Sequence, residues 1–190
     1  RHRVKQNAPP RKIAEELTHL KSLPWREIRS YLTQEFGAAG LEPTGDEDRP
    51  FQPRELAAVG RHPLVHLGNH TRTHTILTNL SLPNVRQQIA MAQQDLHRIC
   101  GVNARAIAYP NGAHSVEVRQ AAKEAGLTLG VTIERHKDYL PLGDDPQGLL
   151  NLGRFQIIRD RPLIQQLEIY RGDFGRDRRR QDAAARNVAA

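Results

Sequence analysis

At 190 residues, with 38% hydrophobic and 26% charged side chains, the chain has the composition of one globular domain, and no apolar stretch approaches the ~18 residues a membrane helix needs. Its single cysteine, Cys100, cannot form an internal disulfide, and no apolar block follows Arg1, Arg3, Lys5, Arg11 and Lys12 as a secretion signal requires, which leaves the compartment, cytoplasmic or periplasmic, unassigned. The net charge of +7 lies in the ends: residues 1–30 hold eight Lys/Arg against three acids and residues 171–190 six against three, so the body is near neutral and nucleic acid is not an expected partner.

In chain order, Ile13, Leu17, Leu20 and Leu23 recur at helical spacing until Pro24 interrupts them, and Trp25, Ile28, Leu32 and Phe36 mark a second helix closed by Gly37. Residues 40–53, polar and broken by proline and glycine, predict a loop, and PRELAAV at 53–59 a short helix ended by Gly60. PLVHL at 63–67 predicts a buried strand that delivers the chain into GNHTRTH. Ser81 is expected to cap a long helix from Pro83 to Cys100, with Val85, Ile89, Leu96 and Ile99 inward and Gly101 stopping it. RAIAY at 105–109 is a second strand, running into a PNG turn, and Ser115 caps a helix ended by Gly126. LTLGVTI at 127–133 is a third strand; a loop with LGDDPQG, a fourth strand LGRFQII at 152–158, and a helix from Pro162 to Tyr170 capped by Asp160 complete the order. Strands alternating with helices of ten or so residues predict parallel β/α units, whose sites form at the carboxyl ends of the strands. Residues 1–50 are expected as a helical insertion with a polar loop, 51–172 as a β/α domain, and 173–190 as a basic, disordered tail.

His70 and His74 are four apart, about one helical turn, so both imidazoles would project from one side of a first turn and could share a metal ion. Neutral imidazole suits zinc, cobalt or nickel, and Thr71, Thr73 and Thr75 offer hydroxyls to orient the rings. Two ligands do not complete a site, because a hydrolytic metal usually has three protein ligands and an open position. Paired acids occur in GDED at 45–48 and GDDP at 143–146, but neither follows an apolar β-run, so both read as loop carboxylates.

The series GNHTRTHTILTNLS, a helix, AIAYPNG, a second helix ending in EAG, and LTLGVTIER resembles the polysaccharide deacetylases of the NodB-homology type, carbohydrate esterase family 4, from about Phe51 to Ile158. The resemblance implies an α/β fold that is part of a (β/α) barrel of the glycoside hydrolase and deacetylase type, and a metal-dependent enzyme that removes N- or O-acetyl groups from a glycan. The family's HT/SxxH motif falls on His70, Thr71 and His74, making the histidines metal ligands, most simply of zinc. Its RPPYG motif falls on Ala108 to Gly112 in the form AYPNG, without the arginine. Tyr109 and Asn111 then become substrate or oxyanion residues, Tyr109 either stacking on a sugar or closing the core at a strand end. The family's TFDDG motif, source of the catalytic base and third ligand, has no counterpart here, so both are expected upstream of Arg1, on an N-terminal part of the same protein. The general-acid leucine and histidine pair is also unmatched, with His66, His114 and His136 the remaining histidine candidates and Asp145 a candidate base. A non-catalytic carbohydrate- or partner-binding module on the same fold stands as the alternative.

Overall fold

The computed structural model describes residues 8–46, 49–138, 148–159 and 161–171. Helix α1 (Pro10–Ser22) and helix α2 (Trp25–Phe36) form where the apolar spacing predicted them, each with no fully buried residue. A 3-10 turn (Ala39–Leu41) follows, then α3 (Pro53–Gly60), where Glu55 accepts the Gln52 N–H at 2.8 Å and so satisfies one of the first-turn donors that a helix leaves open. Arg49 grips the same carboxylate and holds it down to a pKa of about 2.

The long helix α4 (Leu82–Cys100) starts with Pro83 in its first turn and ends on Gly101 in the left-handed conformation, φ 69°. Ser81 occupies the N-cap position without a side-chain bond; only its carbonyl is used, by the Val85 N–H at 3.0 Å. Ser115, by contrast, caps α5 (Val116–Glu124) through Oγ, which accepts from the Val118 N–H at 3.3 Å. Helix α6 (Leu163–Arg171) closes the described chain; its expected cap, Asp160, lies outside the described residues, as does the basic tail.

Two strands pair in parallel, β1 (Ala106–Ala108) with β2 (Leu129–Val131), Ile107 opposite Gly130. On either side the sheet continues as a single parallel bridge: Asn69 to Ile107, and Leu152 to Val131. The backbone order is therefore Asn69, β1, β2, Leu152, consecutive in sequence, with α4 and α5 as the crossovers between the first three. That is the α/β pattern expected, built from much less strand. Among the described residues the sheet does not close into a barrel.

Two of the predicted strands are corrected. PLVHL is a turn, with the Val65 N–H on the His62 carbonyl at 3.0 Å and Leu64 85% exposed, and only Asn69 pairs. LGRFQII pairs only through Leu152, whose N–H donates to Gly130. A strand exists only where a neighbour offers its backbone. PLVHL meets no sheet neighbour, and LGRFQII meets one over a single residue.

The core lies between the sheet and helices α4 and α5: Leu77, Val85, Ile89, Ala104, Ile107, Tyr109, Val118, Ala121, Ala122 and Leu127 are all buried. Full burial of each large aliphatic contributes about 1.5–3 kcal/mol, which anchors α4 to the sheet and fixes the loop between them. Gly130 is required by this packing, since a Cβ there would stand 2.6 Å from both the Leu150 carbonyl oxygen and Tyr109 Oη.

Candidate metal centre and substrate pocket

Every loop leaving a carboxyl end of the sheet contributes to one cavity of about 520 Å³: His70, Thr73, His74 and Thr75 after Asn69, Asn111 after β1, Ile133 after β2, and Arg154 after Leu152. The parallel strands supply this convergence, because parallel backbones present all their carboxyl ends on one side. Leu17, Leu20, Lys21, Leu23, Trp25 and Ile28, from α1, α2 and their junction, form the opposite wall.

The histidine loop is not the helical turn that the four-residue spacing suggested. Residues 70–76 form no helix, with a bend at Arg72 and Thr73, and Thr71 and His74 hold φ values of 62° and 56°. Left-handed backbone costs a residue with a Cβ roughly 1–2 kcal/mol, and a β-branched threonine is among the least suited to it. The other non-glycine residue of positive φ among those described is Asn111, φ 56°, in the PNG turn. All three line or adjoin the same pocket, the pattern expected where surrounding structure holds strain at a site.

What holds the loop is α4. Asn69, 1% exposed, accepts the Thr71 N–H at 2.9 Å and donates through Nδ2 to the Ile89 carbonyl at 3.0 Å. Gln88 accepts from the Thr73 N–H at 3.2 Å and its hydroxyl at 3.1 Å, and Arg72 reaches Asp95 at 3.3 Å. Gln93 braces Asn69 and donates to Ala104 at 2.9 Å. Asn69, Gln88 and Gln93 were not among the residues singled out from sequence; polar side chains interleaved with an apolar helical stripe were the available signal.

The rings of His70 and His74 stand with centroids 4.7 Å apart and planes at 78°. His70 Nδ1 lies 2.6 Å from the Ala108 carbonyl oxygen. A carbonyl can only accept, so Nδ1 carries the proton and Nε2 keeps a free lone pair, the tautomer a metal-ligating histidine has when a backbone carbonyl fixes its other nitrogen. Thr71 Oγ1 is buried with no partner among the described atoms, leaving an oxygen beside the loop for a further group. Two imidazoles are donors of the kind that suits a divalent metal. No group of three His, Cys, Asp or Glu side chains that could hold a metal occurs among the described residues.

Tyr109 closes the core at its strand end: it is 2% exposed, its hydroxyl donates to Leu150 at 2.9 Å, and its ring stacks on His114 at 5.3 Å. Burial raises its pKa to about 12. Its N–H is also used, on Val131 at 3.2 Å, and Tyr109 and Asn111 both line the pocket. Gly112, φ 69°, cannot carry a Cβ, which would lie 2.8 Å from the Ile133 nitrogen, so this glycine lets the turn press on the β2 end. Of the other histidines, His66 is exposed, His114 lies against Tyr109, and His136 sits 3.2 Å from Asp138; none lines the cavity. Asp46 pairs with Arg49 at 2.8 Å, and Asp145 with the rest of GDDP lies outside the described residues.

A family model described as polysaccharide deacetylase matches residues 28–130, beginning inside α2 and ending in β2. Among solved structures, the chain is similar to the Bacillus cereus polysaccharide deacetylase BC0361, at 18% identity and a TM-score of 0.56, covering 76% of this chain and 47% of that one. It is also similar to the Streptococcus pyogenes deacetylase PplD in complex with acetate, at 25% identity and a TM-score of 0.47, covering 54% of this chain and 43% of that one. The chain thus spans less than half the length of either protein. The first of these similarities supports a common α/β fold. With more than half of its residues matched by the family model, including both histidines and the PNG turn, the chain belongs to the polysaccharide deacetylase family.

Proposed function

We propose that this chain is the histidine-bearing part of a metal-dependent deacetylase that removes N- or O-acetyl groups from a polysaccharide or glycan precursor. The observation that carries the reading is the oriented imidazole: His70 spends Nδ1 on Ala108, which leaves Nε2 as its free nitrogen in a pocket that His74 also lines. His70 and His74 would hold a divalent metal, zinc by preference and cobalt or nickel by the same donor chemistry. When bound, such an ion polarises an acetyl carbonyl and acidifies water.

The chain's own residues do the positioning. Thr71, locked by Asn69, keeps the two rings from drifting apart. Leu17, Leu20, Leu23, Ile28 and Ile133 give the pocket an apolar wall against which the methyl of an acetyl group can pack. The N–H of Asn111 is the donor for the developing oxyanion. No carboxylate lines the pocket among the described residues, so the base and third ligand are assigned to an upstream segment of the same protein, and the chain alone is inactive.

The test is acetate release from acetylated chito-oligosaccharides by the protein carrying its upstream segment. His74→Ala should lower turnover by several orders of magnitude, since one substitution removes the metal's hold and with it the activation of the carbonyl. Equal release by both proteins would remove the metal mechanism, and no release by either would leave a carbohydrate-binding module in its place.

A further inference from the structure

The cavity wall carries two cations and no described carboxylate: Lys21 at the end of α1, and Arg154 beyond Leu152. Arg11 pairs with Glu15, Arg49 with Asp46 and Glu55, Arg72 with Asp95, and Arg86 with Glu124, all away from the cavity. Arg154 has no carboxylate within salt-bridge range among the described residues, and Lys21 Nζ meets only a neutral oxygen, Asn111 Oδ1, at 3.1 Å. The arginine is aimed by its backbone: its N–H donates to Glu134 at 2.8 Å, and the preceding Gly153 N–H donates to Asp138 at 2.8 Å. Gly153 also lies too close to the His136 carbonyl for any Cβ, so this stretch is pinned to the 134–138 loop. The cation is therefore held at the same end of the sheet as the histidines. Trp25, 47% exposed, lies on the facing wall and offers an aromatic surface to a sugar ring.

We propose that Arg154 and Lys21 select an acetylated sugar bearing an anionic substituent, a carboxylate or a phosphate, and that Trp25 supports its ring. This rests on the deacetylase reading above and specifies the substrate class. A planar guanidinium matches either anion in a two-pronged geometry, while the mobile ammonium adds a point charge from the other wall. Lys21 can exchange its amide partner for the anion without leaving a buried charge, because both it and Asn111 are exposed.

The test is titration of the 190-residue chain, followed by amide NMR shifts, with N-acetylglucosamine, N-acetylglucosamine 1-phosphate, N-acetylmuramic acid and glucose 1-phosphate. At low salt at least one anionic acetylated sugar should bind about tenfold more tightly than N-acetylglucosamine, and added salt should shrink that ratio. Whether the phosphate or the carboxylate is preferred identifies the source of the anion. Arg154→Gln and Lys21→Gln should each reduce the ratio, with Arg154→Lys restoring part of it. Equal affinity for neutral and anionic acetylated sugars, or a ratio unchanged in Arg154→Gln, overturns the proposal. Glucose 1-phosphate matching N-acetylglucosamine 1-phosphate, with the Arg154 dependence intact, supports the cation pair while counting against the deacetylase reading, so the two failures are separable.

Discussion

Asn69→Ala is expected to destabilise the chain by about 2–4 kcal/mol, and the figure follows from what its amide does. The side chain is 1% exposed and satisfies the Thr71 N–H at 2.9 Å, while its Nδ2 serves the Ile89 carbonyl at 3.0 Å and Gln93 at 3.4 Å. Truncation leaves the Thr71 N–H without its partner, which costs roughly 1–3 kcal/mol, and opens a small void that adds about 1 kcal/mol. Relaxation of Thr71 from its left-handed φ of 62°, roughly 1–2 kcal/mol, is offset by the loss of the Nδ2 bonds to Ile89 and Gln93, about 0.5–1.5 kcal/mol each, and the loop carrying His70 moves. Asn69→Asp should do no better: it keeps the acceptor for Thr71 but places a buried charge against two acceptors, the Ile89 carbonyl and Gln93 Oε1. Urea denaturation followed by far-ultraviolet circular dichroism measures the change. A stability for Asn69→Ala within about 0.5 kcal/mol of the parent would show that the amide does not fasten the loop to α4.

Gly130→Ala should lose about 1–3 kcal/mol, because the new Cβ meets the Leu150 carbonyl and Tyr109 Oη at 2.6 Å; an unchanged thermal midpoint would contradict this packing. Stability should fall as pH rises from 10 to 12, because unfolded Tyr109 ionises near 10 while its buried, raised pKa of about 12 keeps it neutral in the fold. The contribution is complete below pH 10 and amounts to about 2–3 kcal/mol when lost. Tyr109→Phe should remove that alkaline slope, and a slope that persists would assign it to another group.

Helices were legible because their signal is local. Val85 and Ile89 lie in the core as the spacing placed them, and Gly101 stops α4 where expected. Strands were not, because pairing is decided by a distant neighbour: LTLGVTI reads as seven residues of strand and pairs over three, and PLVHL pairs over none. The histidine pair was legible as a motif while its geometry was not. Spacing suggested a helical turn, yet the rings meet through left-handed Thr71 and His74, conformations that side-chain type argues against and only the bonds from Asn69 and Gln88 explain. Arg154 and Trp25 were invisible as pocket residues because they lie 84 and 45 positions from His70, brought to it by the sheet order and by the α1–α2 junction.

The central claim, that His70 and His74 turn toward one metal ion, is tested most directly by imidazole nitrogen NMR of the 190-residue chain during zinc titration. Before zinc, His70 should show the tautomer protonated at Nδ1, as its 2.6 Å contact with Ala108 requires. With zinc, the Nε2 signal of His70 and one nitrogen of His74 should shift together along a single weak binding curve, and His74→Ala should abolish the response of His70. Independent responses of the two rings, or His70 protonated at Nε2, would contradict the account.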